Sequence, residues 1–207
     1  MNIILCQFGI YYIDKKELFT TEEFLYEIIL NDVYNLTCIE LEDLKDNNPI
    51  YEQKLKDKEL FLQQLSKYIE DTYQSSTSPI IRILTLKDFI HHLLKFDYHI
   101  IEKFQVYYQL RNRNLIIKLG KSFGIDYLVY ENDKAHSDYV IKCIFEETLP
   151  VAKLLQINRV AKNMNKKILI IKCNVTSLIR NPELNEENFR AELIRILDTK
   201  IIYLCFS

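Results

Sequence analysis

The chain has 207 residues, of which 48% are hydrophobic and 27% are charged, with a formal net charge of −2. This balance is ordinary for a globular protein that buries a sizeable core in one large or two small domains. No apolar run reaches the ~18 residues of a membrane span, and the segment MNIILCQF has neither a basic flank nor a small-residue cleavage site. We therefore expect no transmembrane helix and no signal peptide.

Five cysteines stand far apart in the chain and form no CxxC pair. An odd number with this spacing argues against a zinc site and against a disulfide framework, and indicates a reducing compartment. We expect these residues to be small and buried. They are Cys6, Cys38, Cys143, Cys173 and Cys205.

Charge is distributed unevenly along the chain. From Ile101 to Val175 there are 13 Lys and Arg against 7 Asp and Glu, a net charge of +6, which leaves 14 against 22, or −8, for the remainder. A basic segment suits an anionic partner such as RNA, although a solvated surface without such a role would have the same composition.

The first half of the chain predicts a small α/β domain over residues 1–100. The run IILCQFGIYYI predicts a strand or hairpin, and Thr20 is placed to cap an amphipathic helix that begins at about Thr21. The buried side of this helix is assigned to Phe24, Ile28 and Leu30. Further predicted elements are a turn over Asp46–Pro49, a helix over residues 52–70, a loop over Gln74–Pro79 and a helix over Thr85–Leu94 with Thr85 as its N-cap.

The second half predicts a helix followed by the order β-β-β-α-β-α-β. The helix is EKFQVYYQLRNR, and the first two strands, LIIKL and DYLVY, are joined by a tight turn that contains Gly120 and Gly124. Glycine is needed where the backbone takes a positive φ or where another group approaches closely. A third strand, SDYVIKCIF, precedes a helix whose first residue is Pro150. The buried residues of that helix are assigned as Ile157, Val160, Ala161 and Met164.

Four polar side chains in this half are candidates for function. Tyr130 ends the second strand and His136 opens the third after a short loop, so the two could act as an acid–base pair. Arg159 lies seven residues before Lys166, so that on one helix both would project in a similar direction about 10 Å apart. The remaining elements are a buried strand KILIIKC, a helix ELNEENFRAELIRIL capped by Asn181-Pro182, and a closing strand KIIYLCF.

The segment VYYQLRNRNLIIKLGKSFGIDYLVY resembles the tRNA-splicing (tRNA-intron) endonuclease family. That family has a tyrosine-rich helix ending in LRxR, a strand, and the pattern K-x-G-x-x-F/Y-G-x-D-F/Y-x-V-Y, followed by His-Ser/Thr-x-Tyr and by R-[LV]-A-x-x-V-x-K. Spacing and order agree over about 70 residues of this sequence. The matching residues are Leu110-Arg111-Asn112-Arg113, Lys118, Gly120, Phe123, Gly124, Asp126, Tyr127, Val129, Tyr130, His136-Ser137-Asp138-Tyr139 and Arg159–Lys166.

The resemblance implies an α/β (α+β) chain with a restriction-endonuclease-like mixed-sheet catalytic domain over residues 101–207. It also implies a ribonuclease that acts on pre-tRNA without metal or cofactor. The family's catalytic residues fall on Tyr130 as general base, His136 as general acid and Lys166 as the cation that stabilises the pentacoordinate phosphorus. The products would be a 2′,3′-cyclic phosphate and a 5′-OH. A free tyrosine has a pKa of about 10 and needs a neighbouring cation to act as a base at neutral pH, a role that Lys166 could fill.

Two arginines are implied as RNA-binding residues. Arg159 matches a family arginine that stacks on a bulge nucleotide, a common way of reading unpaired RNA. The partner in that stack is an Arg or Trp further along in the family, and it is assigned here to Arg180. The chain departs from the family in the loop between the tyrosine and the histidine, ENDKA, which is shorter and lacks Gly and Pro.

Other functions remain open from the sequence. One is a non-catalytic structural subunit of the same splicing complex, and another is an RNA-binding module without cleavage activity. A metal-dependent nuclease would need an acidic residue two positions before a lysine on a central strand, where KILIIKC has Ile170 before Lys172. Family members are dimers or tetramers, so we expect pre-tRNA and either further subunits of a heterotetramer or copies of this chain as partners. The chain would be nuclear in a eukaryote and cytoplasmic otherwise.

Overall fold

A computed structural model describes residues 2–6, 9–15, 17–33, 35–39, 67, 81–120, 123–131, 136–173 and 178–206. The chain divides into two compact units, Met1–Ile90 and His91–Ser207, and the predicted domain boundary at residue 100 stays a prediction. The predicted turn at 46–49 and loop at 74–79 lie outside the described residues, as does the predicted helix over 52–70 apart from residue 67. No helix in the described ranges is long and apolar enough to cross a membrane.

The first unit contains a five-stranded sheet. Its strands are β1 (Asn2–Cys6), β2 (Gly9–Tyr12), β3 (Glu17–Phe19), β4 (Asn35–Ile39) and β5 (Ile81–Thr85). Their order in the sheet is β3-β2-β1-β4-β5. The run IILCQFGIYYI, predicted as a strand or hairpin, forms the hairpin of β1 and β2, whereas β4 pairs parallel to β1 and antiparallel to β5.

Threonine caps begin the two helices that the structure describes in the N-terminal half, as predicted. These helices are α1 (Thr21–Leu30) and α2 (Leu86–Leu94). The Thr20 hydroxyl accepts a hydrogen bond from the backbone N–H of Glu23 (3.2 Å), and the Glu23 carboxylate accepts one from the N–H of Thr20 (3.0 Å). At α2, the Thr85 hydroxyl accepts the N–H of Asp88 (3.2 Å). Each bond satisfies a donor that the start of a helix leaves open.

The buried side of α1 differs from the prediction at one position. Phe24 and Ile28 are buried as expected, but the side chain of Leu30 is 66% exposed and its assignment to the core is wrong. Leu30 lies two residues, or about 200°, around the helix from Ile28, and therefore faces outward. The buried leucine of α1 is Leu25 instead of Leu30.

Within the second unit, helix α3 (Ile100–Arg111) is followed by the predicted order β-β-β-α-β-α-β. A short 3-10 turn, Leu178–Arg180, precedes the last helix. The elements after α3 are β6 (Ile116–Leu119), β7 (Tyr127–Tyr130), β8 (Tyr139–Ile144), α4 (Val151–Asn163), β9 (Lys167–Lys172), α5 (Glu186–Asp198) and β10 (Ile202–Phe206). The sheet order is β10-β9-β8-β7-β6, a mixed sheet in which only β8 and β9 are parallel. Helix α4 supplies the crossover that a parallel pair requires.

Different helices cover the two faces of this sheet. Helix α4 packs on the face that carries Val140 and Ile168. Tyr127 lies on the other face, where its hydroxyl donates to the carbonyl of Lys103 in α3 (2.9 Å). Helix α5 lies against α3, because the Gln105 amide donates to a carbonyl in the last turns of α5 (2.7 Å). Helices α3 and α4 thus cover opposite faces of the central strands, whereas Ile202, Tyr203 and Leu204 of β10 remain exposed.

The turn between β6 and β7 uses its two glycines for different reasons. Gly124 has a φ of 73°, in the left-handed region that glycine enters without a steric penalty. Gly120 is buried, and a Cβ added to it would lie 2.5 Å from Cγ1 of Ile125. The turn fixes a register in which Ile116 pairs with Tyr130.

Two predicted helix starts are displaced by a few residues. Pro150 is the N-cap of α4 rather than its first residue, with φ −57° and ψ 139°. Helix α5 is capped by Asn185, whose side chain accepts the N–H of Asn188 (2.8 Å), and not by Asn181-Pro182. Asn181 caps a separate turn instead, in which its side-chain oxygen accepts the N–H of Glu183 (3.0 Å).

Candidate active site

The strand ends that flank the three predicted catalytic residues meet at one place. Val129 at the end of β7 pairs with Tyr139 at the start of β8, and Tyr139 pairs with Lys167 at the start of β9. Since β7 is antiparallel to β8 and β8 is parallel to β9, the end of β7 and the starts of β8 and β9 form one edge of the sheet, which we call the upper edge. The predicted catalytic residues at or just beyond these strand ends are Tyr130, His136 and Lys166.

Strand spacing sets the separation of the strand ends next to Tyr130 and Lys166. Neighbouring strands lie about 4.8 Å apart, so the ends of β7 and β9 are separated by about 10 Å with β8 between them. Tyr130 follows Leu128 by two residues, and Lys166 precedes Ile168 by two. Both Leu128 and Ile168 pack beneath α4. Strand alternation therefore assigns Tyr130 and Lys166 to the same face of the sheet.

Lys166 does not continue the helix that carries Arg159, so the prediction that the two share a helix direction is wrong. Helix α4 ends at Asn163, and Asn165 has a left-handed backbone with φ 53°. The N–H of Lys166 donates back to the carbonyl of Ala161 (3.0 Å). Such a left-handed residue after the last turn ends a helix and redirects the chain. It delivers Lys166 to the upper edge and leaves Arg159 exposed on α4.

Hydrogen bonds close the base of the loop before His136. The N–H of Asp138 donates to the carbonyl of Val129 (2.8 Å). The N–H of Glu131 donates to the Asp138 carboxylate (3.0 Å), and the Tyr139 hydroxyl donates to the Glu131 carboxylate (2.9 Å). These bonds hold the chain on both sides of the loop, so the exposed His136 lies two residues from paired backbone.

The side chains of the three predicted catalytic residues form no hydrogen bond or ion pair within the described ranges. Other lysines of this unit have acidic partners. Their pairs are Lys103 with Asp97 (2.6 Å), Lys142 with Asp126 (3.1 Å) and Lys153 with Glu146 (2.7 Å). A phenol, an imidazole and an ammonium at the upper edge are thus available to a ligand.

Lys118 approaches Tyr130 from the neighbouring strand. Its ammonium lies 5.0 Å from the centre of the Tyr130 ring, which is only 9% exposed. From the sequence, Lys118 was identified only as a residue of the family pattern. Its position beside Tyr130 could have been predicted from the alternation of LIIKL. Once the glycine turn sets the register, this alternation places Lys118 and Tyr130 on the same face of the sheet.

The side chain of Arg180 is largely buried and forms hydrogen bonds with other residues of the protein. Its guanidinium donates to the Glu102 carboxylate (2.6 Å) and to the Tyr98 carbonyl (2.9 Å), and lies 4.4 Å from the centre of the Tyr98 ring. The side chains of Arg180 and Glu102 are 11% and 0% exposed. RNA binding by Arg180 stays a prediction, and it requires RNA to compete with Glu102 for the guanidinium.

The Arg180 ion pair lies at the opposite end of the strands from the upper edge. His99 lies 3.9 Å from the Glu102 carboxylate, and its ring stacks on Phe145 at a centroid distance of 3.9 Å. Phe145 directly follows β8, whose start is at the upper edge. A strand of this length spans about 20 Å. Within one chain, Arg180 and Tyr130 therefore lie near opposite ends of the strands, separated by about 20 Å.

The described cysteines offer no nucleophile. Cys38, Cys143 and Cys173 are free and buried, as predicted, and the side chains of the other two lie outside the described residues. A hydrogen bond with the Cys173 thiol, together with burial, raises the pKa of Cys143 well above that of a free thiol. The thiolate is the reactive form of cysteine, so these conditions disfavour nucleophilic chemistry at Cys143.

The segment from α3 to β9 contains every strand end of the upper edge. Residues 100–177 match the family model of the tRNA intron endonuclease, catalytic C-terminal domain. This segment belongs to the tRNA intron endonuclease family. The resemblance identified from the sequence motifs is therefore confirmed for the segment that carries them.

Three curated relatives are tRNA-splicing endonucleases. The protein from Methanococcus vannielii is 33% identical over 82 residues, which cover 35% of this chain and 46% of the relative. The protein from Methanothermobacter thermautotrophicus is 37% identical over 73 residues, covering 33% and 43%. The protein from Methanococcus maripaludis is 27% identical over 94 residues, covering 43% and 52%. The chain thus spans about half the length of the curated relatives it matches.

Proposed function

We propose that this protein is a metal-independent endoribonuclease that excises introns from pre-tRNA. Its upper edge lies in a tRNA intron endonuclease catalytic domain. The observation that most supports the proposal is the meeting of three strand ends, next to which a phenol, an imidazole and an ammonium form no hydrogen bond or ion pair within the described ranges. These groups can together transfer protons and stabilise an anion.

In the proposed reaction, the ribose 2′-oxygen at the splice site attacks the adjacent phosphorus. The O2′–P bond forms and the P–O5′ bond breaks, which leaves a 2′,3′-cyclic phosphate and a 5′-OH. Tyr130 accepts the proton of the 2′-OH, and His136 donates a proton to the departing 5′-oxygen. Lys166 stabilises the additional negative charge on the pentacoordinate phosphorus. No metal ion takes part in these steps.

The dimensions of the upper edge suit this division of roles. Attacking and leaving oxygens lie roughly in line through phosphorus, so the base and the acid must approach from different sides. Tyr130 ends β7, and His136 lies three residues before β8, the strand that neighbours β7 at a spacing of about 4.8 Å. Lys166, one strand further, is close enough to reach a non-bridging oxygen of a phosphate held between the other two.

Arg159 is the proposed contact to an unpaired nucleotide of the substrate. It is exposed on α4, the helix that covers the face shared by Tyr130 and Lys166. A guanidinium plane can stack on a base without requiring a particular sequence. Arg180 is the second proposed RNA contact. RNA binding by Arg180 requires more free energy than binding by Arg159, because its ion pair with Glu102 must first be broken. We also propose that further subunits or a second copy assemble with this chain, because one intron has two splice sites.

The proposal is tested with purified protein, intron-bearing pre-tRNA and a chelator in place of metal. We expect cyclic-phosphate and 5′-OH ends, which are lost in His136→Ala and retained in the matched variant His92→Ala. Cleavage that the chelator abolishes, or ends of the opposite polarity, would contradict the mechanism. Cleavage by an assembled complex that is insensitive to His136→Ala would make the chain a structural subunit. Binding that never leads to cleavage would make it an RNA-binding module.

A further inference from the structure

Lys118 and Tyr130 are diagonal neighbours on one face of the sheet. Ile116 pairs with Tyr130 across β6 and β7, and Lys118 pairs with Leu128. Residues two apart on a strand share a face, and long side chains reach their diagonal neighbours across a strand pair. The 5.0 Å between the Lys118 ammonium and the centre of the Tyr130 ring lies within the range of a cation–π contact.

The ammonium of Lys118 faces solvent, whereas the ring beneath it is buried. Within the part of the chain that the structure describes, this ammonium forms no ion pair. A lysine whose carbon stem covers a buried ring while its charge remains in water can bind an anion at little cost in desolvation. An anion that reaches Tyr130 therefore also meets Lys118.

We propose that Lys118 is a further residue of the active site, which binds a backbone phosphate next to the scissile one and holds the Tyr130 ring in place. This rests on the proposed cleavage of pre-tRNA at the upper edge. Strand β6 ends the sheet beyond β7, whereas His136 and Lys166 lie on the side of β8 and β9. The phosphate bound by Lys118 therefore lies on the opposite side of Tyr130 from those two residues.

The position of the ammonium over the ring, rather than at a reacting atom, makes Lys118 a positioning and binding residue. Neutralising one phosphate of a single strand contributes about 0.7 to the slope of log K against log salt. We therefore expect that removing the charge of Lys118 weakens RNA binding and lowers the slope of log K against log salt. The factor by which kcat falls should be smaller than the factor by which Kd rises. If Lys118 only packed on the ring, removing its charge would change neither the salt slope nor the affinity for RNA.

Two variants separate charge from packing. Lys118→Met keeps an unbranched stem over the ring and removes the charge, whereas Lys118→Arg keeps the charge. Lys167→Met is the matched control, because Lys167 is also exposed and lies 6.0 Å from the ring centre of Tyr139. Tyr139 and Lys167 pair in register with Val129, the neighbour of Tyr130, so they belong to the other face.

The measurements are the Kd of pre-tRNA as a function of salt, and kcat and KM for cleavage. For Lys118→Met we expect about a tenfold rise in Kd and in KM at low salt, and a salt slope reduced by about 0.7. Lys118→Arg should stay within about threefold of the wild type, and Lys167→Met within about twofold. The Tm of each variant should change by only a few °C, roughly the effect of one exposed cation–π contact.

The proposal is overturned by a Lys118→Met variant with the wild-type salt slope and KM. Equal impairment of the Met and Arg variants, or of Lys118→Met and Lys167→Met, would overturn it as well. Failure of the proposed function is distinguishable from this result. If the wild type binds pre-tRNA without cleaving it, the cleavage proposal fails while the salt slope still tests Lys118, and if it does not bind, both fail.

Discussion

Removal of the Arg180 guanidinium should mainly unfold the protein rather than release RNA. The Glu102 carboxylate is 0% exposed and Arg180 only 11% exposed, so Arg180→Met leaves a buried charge without its strongest partner. Breaking a buried pair from one side costs about 3–5 kcal/mol. In a chain of this size, each kcal/mol lowers Tm by roughly 2–4 °C, so the expected fall is about 6–20 °C. Replacement of both partners in Glu102→Leu/Arg180→Met should recover much of this loss, because apolar side chains of similar volume substitute well for such pairs.

Thermal and urea denaturation of the single and double variants measure this coupling directly. Arg159→Met is the matched control, since Arg159 is exposed on α4 and its removal should change stability by no more than about 0.5 kcal/mol. RNA affinity, measured below the lowest Tm, should fall more for Arg159→Met than for Arg180→Met. Wild-type stability of Arg180→Met together with a loss of RNA binding would refute this reasoning and assign the guanidinium to RNA.

Substitutions at Gly120, Gly124 and Asp138 test the parts that position Tyr130 and His136. Gly120→Ala places a Cβ 2.5 Å from Cγ1 of the buried Ile125, and should cost about 1–3 kcal/mol in urea denaturation, relieved by adding Ile125→Ala. Gly124→Ala should cost about 1–2 kcal/mol because its φ is 73°, and Ile125→Ala should not reduce this cost. If Ile125→Ala reduced the cost of both glycine substitutions equally, the proposed clash at Gly120 would be contradicted. Asp138→Ala removes the acceptor of the N–H that closes the His136 loop, so kcat should fall about tenfold while Asp138→Asn, which retains an oxygen, stays near wild type. Equal kcat values for the two Asp138 variants would show that this bond does not position the loop.

The second unit was predictable because its signals are local. Apolar runs of strand length, separated by the glycine turn around Gly120 and by Pro150, give the order of the elements. Alternation along LIIKL and DYLVY was also sufficient to place Tyr130 at a strand end. The meeting of three strand ends depends on the parallel pairing of β8 and β9, which a crossover helix such as α4 makes the natural arrangement.

Features set by single backbone angles or by distant partners were not predictable. The helical spacing of Arg159 and Lys166 was misleading because Asn165 takes a left-handed φ, a choice that asparagine tolerates but does not require. Strand β3 is only three residues long, and strands β4 and β5 pair with segments far along the chain, so these strands gave no clear pattern. The engagement of Arg180 by Glu102 joins residues 78 positions apart, for which no local signal exists.

The catalytic role of the upper edge is tested most directly by the structure of a complex with a pre-tRNA that carries a 2′-deoxyribose at the splice site and so cannot react. We predict that Tyr130 lies at the 2′ position, His136 at the 5′-oxygen and Lys166 at a non-bridging oxygen of the same phosphodiester, each within about 3.5 Å. RNA bound elsewhere on the protein, or a scissile phosphate that only one of the three side chains reaches, would contradict the role assigned to this edge.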